Sequence, residues 1–155
     1  MDLCGCGNPR RFDSVSRRKQ EGRFWKRLKP DWIRATEVFP ELPDLEVVFD
    51  EEAGTTGRAF GYFDTEDEKI GLAPRLIKER AHRQKGVFRH EIGHLVHHVY
   101  GREALADQIE KPLSKSDEVL ADQIAEFIYG SPIFYDDELV QSTRHGVPKR
   151  PAHLG

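Results

Sequence analysis

The fold turns on the stretch Val87-Phe88-Arg89-His90-Glu91-Ile92-Gly93-His94-Leu95-Val96-His97-His98-Val99-Tyr100. Its apolar residues fall at 88, 92, 95, 96 and 99, the spacing of a helix with one buried stripe. Gly101 follows and predicts the helix end. Residues four apart on a helix stand on the same face. His90 and His94 therefore point the same way and can grip one metal ion, with Glu91 beside them as a base for metal-activated water. The competing reading is a solvated helix that carries His and Glu by chance. Gly93 weakens the helix locally and predicts that another backbone comes close.

A catalytic zinc needs three protein ligands and an open position. Asp117 to Tyr129 reads as a second helix, with Ser114 or Ser116 as N-cap and Gly130 and Pro132 closing it. On that helix Glu118, Ala121, Asp122 and Ala125 share one face. Two alanines beside two carboxylates suit a face packed tightly on the histidine helix. Glu118 would complete the metal site, and Asp122 would accept the N–H of a ligand histidine and fix its tautomer.

The pair His90-Glu91-x-x-His94 and Glu118-x-x-x-Asp122, with 23 residues between, resembles the gluzincin metallopeptidases. The short chain and the Glu-x-x-Ala-Asp-x-x-Ala-x-x-Ile pattern are similar to small gluzincins of the ImmA/IrrE type, common in phages and mobile elements. The resemblance covers about residues 45–130, and only the two helix motifs are specific. It implies Zn2+ held by His90, His94 and Glu118, Glu91 as general base, and Asp122 supporting a ligand histidine. It also implies cleavage of a peptide or protein substrate, in the narrowest case one repressor protein. The metzincin pattern is excluded, because Tyr100 stands at the third-histidine position and the sole methionine is Met1. His97 and His98 read as residues at the site rim, with His98 as a displaced ligand the minor alternative. Tyr100, Tyr129, Tyr135 and His145 are the candidates for a transition-state donor.

A chain of 155 residues suits one domain with a real core. No apolar run reaches the ~20 residues of a membrane span, and no signal peptide is visible. Cys4 and Cys6 are too close together to staple a fold, and half a zinc knuckle lacks its second pair. A cytoplasmic location is the expectation.

Three regions are expected: a basic N-terminal arm over 1–29, a zincin-like domain over 30–140 and an extended tail over 141–155. The arm carries nine Lys/Arg against three Asp/Glu, a net of +6, so the remainder holds −9. Phe12, Phe24 and Trp25 are interleaved with those cations. One reading is a contact with nucleic acid or a protein partner, phosphates neutralised and bases stacked. The other is a solvated helix whose aromatic side packs on the domain.

Leu45–Asp50 reads as a strand. Arg58–Asp64 and Lys69–Ala73 read as a hairpin around a polar turn, with Gly54 and Gly57 marking the turn before it. A short helical start follows at Pro74. The expected class is α+β: an N-terminal helix, a three-stranded mostly antiparallel sheet, the active-site helix and the second ligand-bearing helix. Either hairpin strand would serve as an edge for an extended peptide. A second function remains open beside the peptidase: a catalytically weak or inactive zincin-fold binding module whose basic arm docks nucleic acid or a protein.

Overall fold

The computed structural model describes residues 9–51 and 60–132, with the side chains of 9–18 left aside. Cys4, Cys6, Gly54, Gly57, Tyr135, His145 and the tail lie outside those residues. The elements run α1 (Pro9–Val38), β1 (Glu46–Phe49), β2 (Gly61–Asp64), β3 (Lys69–Leu72), a 3-10 segment (Pro74–Lys78), α2 (Ala81–Ile109) and α3 (Asp117–Tyr129). The class is α+β. Among the described residues no helix is long and apolar enough to cross a membrane.

The sheet corrects one expectation: it is mixed. Its order is β1-β3-β2, with β1 parallel and β2 antiparallel to β3. β1 and β2 therefore lie on opposite edges of the sheet, and β2 follows β1 in sequence without pairing with it. Of the two strands expected to offer an open edge, β3 is the centre of the sheet and only β2 is an edge. Ile70 and Leu72 of β3 are fully buried, as a central strand requires. Gly71 lies under the Tyr62 ring, where a Cβ would come within 2.1 Å of ring carbon. The Tyr62 hydroxyl reaches on to Asp50 Oδ2 at 2.7 Å, so one β2 side chain crosses β3 and meets the residue just after β1. In the β2–β3 turn, Asp64 Oδ1 accepts the N–H of Glu66 at 2.9 Å and of Asp67 at 3.2 Å.

α1 crosses position 29 without a break, and Phe24 and Leu28 sit in the core. The basic segment is thus part of the helix that carries the domain's own apolar stripe. That stripe is Phe24, Leu28, Asp31 and Ala35, with Phe39 just beyond the helix, and Asp31 is its one polar member. Arg89 answers it with two hydrogen bonds, Nε to Oδ2 at 2.9 Å and Nη2 to Oδ1 at 3.0 Å. The Arg89 guanidinium lies 4.2 Å from the centre of the Tyr129 ring, and the Tyr129 hydroxyl donates to the Asp31 carbonyl at 2.7 Å. Burial, then the nearby Asp31 charge, pushes that hydroxyl well above its ordinary pKa, so it stays a neutral donor. All three helices meet in this knot.

α2 starts earlier than the apolar pattern indicates and runs past its predicted end. Gly101 does break the helical geometry, with φ 83° and ψ 159°, a region closed to most side chains. A further helical stretch follows and buries Leu105 and Ile109. α3 matches its expected bounds. Ser116 caps it, accepting the Val119 N–H at 3.3 Å, and Gly130 ends it at φ 77°.

Asp31→Ala leaves the mostly buried Arg89 without its carboxylate, and we expect a loss of about 2–3 kcal/mol in stability. Urea denaturation followed by circular dichroism measures it; a midpoint like that of the wild type would mean the knot contributes little.

Candidate metal centre

Gly93 sets the geometry of the site. A Cβ at this position would lie 2.2 Å from the Ala121 carbonyl oxygen, so the α2 and α3 backbones meet where only glycine fits. Ala121 and Ala125 are fully buried, which explains the small residues on that face of α3. This contact swings the first two turns of α3 over the α2 histidines.

His90 is then held on both sides by one helix. Its Nδ1 lies 2.8 Å from Asp122 Oδ1, and its Nε2 lies 2.9 Å from Glu118 Oε1. A carboxylate only accepts, so the Asp122 contact assigns a proton to Nδ1 and turns the Nε2 lone pair toward Glu118. His94 Nε2 stands 3.1 Å from His90 Nε2 and 3.3 Å from Glu118 Oε1. The two rings are nearly perpendicular, at 89°.

Three electron-rich atoms thus face one another across 2.9–3.3 Å. Lone pairs gathered this closely repel unless positive charge stands among them, as protons on the rings or as a metal ion. With the rings protonated, hydrogen bonds from His90 first and His94 second hold the Glu118 carboxyl far below the ordinary carboxylate range, against the opposing effect of burial. A tetrahedral zinc with bonds of ~2.0–2.1 Å places its ligand atoms about 3.3–3.4 Å apart. The donor triangle is within a few tenths of an ångström of that spacing, and its two imidazoles and one carboxylate are a zinc-type donor set. The residues fit the ion.

Glu91 completes the cluster. It is 5 % exposed, and one of its carboxylate oxygens lies within 4.8 Å of a ring nitrogen of each histidine. His97 is half-buried, and burial first of all lowers its pKa. His98 Nε2 contacts Glu68 Oε2 at 3.1 Å while its ring packs on Phe63. Neither belongs to the donor triangle. Two of the four donor candidates are occupied elsewhere. The Tyr100 hydroxyl accepts the Glu41 N–H at 3.1 Å, and the Tyr129 hydroxyl serves Asp31.

Sequence reasoning missed the residues that hold α3 in place. Arg102 donates to the carbonyls of Ser114 at 2.8 Å and Lys115 at 3.2 Å, and to Asp117 Oδ1 at 3.0 Å. Gln123 accepts the Ser114 N–H at 2.8 Å and donates to the Pro112 carbonyl at 3.1 Å. Together they fix the loop that delivers Glu118. No local pattern announces either residue, because each acts on backbone distant in sequence. Asp31 did leave a signal, as the polar member of an apolar stripe.

No protein-family model matches this sequence, and neither a curated protein nor a solved structure matches it. The chemistry of the site rests on its own residues.

Gly93→Ala should force α3 away from α2, at a cost of about 2–3 kcal/mol from overpacking, and should lower zinc affinity with it. Asp122→Ala should keep the ligand set and weaken zinc binding about 10- to 100-fold. Both are read by competition with a chromogenic chelator; unchanged zinc affinity in both variants would mean the histidines do not hold the ion. Zinc requires the ligand imidazoles without their extra protons. Zinc binding should therefore release protons and weaken as pH falls, which calorimetry in buffers of different ionisation enthalpy detects.

Proposed function

We propose that this protein is a zinc-dependent peptidase of the gluzincin type, in which His90, His94 and Glu118 hold the ion. The observation that carries the proposal is the donor triangle between α2 and α3 with the buried Glu91 carboxylate beside it. The α+β frame, with an edge strand packed near the histidine helix, supports the same reading.

Bound zinc would supply Lewis acidity, polarising a carbonyl and making water easy to deprotonate near neutral pH. The protein's residues do the rest. Glu91 takes the proton from the attacking water and passes it to the leaving nitrogen. Asp122 keeps the proton on His90 Nδ1, which fixes the ring and makes its other nitrogen more basic. Glu118 adds negative charge that favours a divalent cation. Among the described residues β2 is an edge strand, and an extended peptide can lie along such an edge through main-chain hydrogen bonds. Such a mode suits a protein segment that is already extended, in keeping with action on a restricted set of substrates.

The test is Glu91→Gln in a peptide-library digest, with and without chelator. The variant should keep one zinc per chain and lose at least about 100-fold in cleavage, the size of a general-base contribution. Wild-type cleavage that survives either the substitution or complete zinc removal would refute the mechanism.

A further inference from the structure

α1 and the 3-10 segment enclose a cleft of about 250 Å³, lined by Gln20, Arg23, Phe24, Arg27, Ile77 and Lys78. None of these residues belongs to the metal centre. Three of the six are cations and none is an acid. Among the described residues neither Arg23 nor Lys78 forms an ion pair with an acid. Among the described residues, positive charge is thus concentrated in the lining of this cleft without an acid in that lining.

The walls are held in place. Arg27 Nη1 donates to Gln84 Oε1 at 2.5 Å. Gln84 is 1 % exposed, and its amide nitrogen faces the carbonyls of Leu76 at 3.2 Å, Ile77 at 2.9 Å and Glu79 at 3.0 Å. One buried amide therefore ties the α1 arginine to the segment that carries Ile77 and Lys78. Arg27 has five N–H donors, and the Gln84 bond uses only one of them.

The charge extends beyond the cleft. On α1, Lys19, Arg23, Lys26 and Arg27 lie within an arc of about 100° around the helix axis, over a rise of roughly 12 Å. The sole acid between positions 19 and 30 is Glu21, on the opposite side of α1. A row of cations over two turns suits a linear polyanion better than a single small anion. Among the described side chains, Phe24 and Trp25 are not offered as stacking platforms. Phe24 is 1 % exposed, and Trp25 packs edge-on against Phe88 with ring centres 5.8 Å apart. A surface that presents charge and withholds aromatic faces contacts phosphates, not bases.

We propose that this cleft and the adjoining α1 stripe bind the phosphodiester backbone of nucleic acid without regard to base sequence. This surface is separate from the peptidase reading and stands whether or not that reading holds.

The experiment is a fluorescence-anisotropy titration of labelled duplex DNA, about 20 bp long, with the full chain at salt between roughly 50 and 200 mM. Five phosphate contacts, one for each of Lys19, Arg23, Lys26, Arg27 and Lys78, give a slope of log K against log salt of about −4.5. Arg23→Gln combined with Lys78→Gln removes two cations that form no ion pair among the described residues. It should weaken binding roughly tenfold at low salt and make the slope shallower by about 1.8, with unchanged circular dichroism and zinc content. Two duplexes of unrelated sequence should bind equally. Wild-type affinity and slope in the double variant would overturn the proposal. So would absence of binding at the lowest salt. Poly-glutamate of matched charge binding as tightly as the duplex would overturn the nucleic-acid assignment in favour of an acidic protein.

Discussion

Two helix backbones touch at Gly93 and Ala121, and the site depends on that touch. Any side chain at position 93 would strike the Ala121 carbonyl. Because the helices are this close, residues one turn apart on α3 reach opposite nitrogens of a single imidazole. Glu118 meets the Nε2 of His90 and Asp122 meets its Nδ1. A wider helix spacing, typical of a Leu-lined interface at ~8–10 Å, would leave these short acidic side chains out of reach. The glycine and the alanines on the facing helix thus serve a purpose that packing alone would not demand.

Closeness has a consequence in polar burial. Buried polar groups are stable only with partners, and this protein supplies them mainly from long side chains acting across elements. Arg89 with Asp31, Gln84 with the end of the 3-10 segment, and Arg102 with the loop before α3 each fasten one element to another. Each bond is directional, so it fixes rotation and shift along an axis that apolar contacts leave loose. The donor atoms around His90 lie within a few tenths of an ångström of a coordination sphere. Such precision needs this kind of support.

The distribution of charge follows the same division of labour. The segment up to residue 29 is strongly basic while the rest is acidic, yet the basic helix is not an appendage. Phe24 and Leu28 anchor it in the core, and the cations occupy the side turned away from that core. Rigid attachment matters for any role of these cations, because charges held in a fixed row act together on a partner, whereas a solvated tail would first have to be ordered.

Much of the site was legible in the residues themselves. The H-E-x-x-H spacing orients His90, Glu91 and His94 by helical geometry alone. The Glu-x-x-Ala-Asp face of α3 announced both its acids and its need for a close neighbour, and Gly93 named that neighbour's position. These are local properties, set by the 3.6-residue repeat and by side-chain size. Gly101 was legible as a break but not as a joint, because the helix beyond it is held by burial of Leu105 and Ile109 against distant residues. The parallel pairing of β1 with β3 was hidden for a similar reason: strand patterns record which face is buried and not which strand lies alongside. Only the tertiary structure decided that Asp31 meets Arg89, that Arg102 and Gln123 clamp the α3 loop, and that Lys78 joins the α1 cations around one cleft. Those pairings join residues far apart in the chain, and the free energy that selects them comes from burying the whole core at once, which no short stretch of sequence contains.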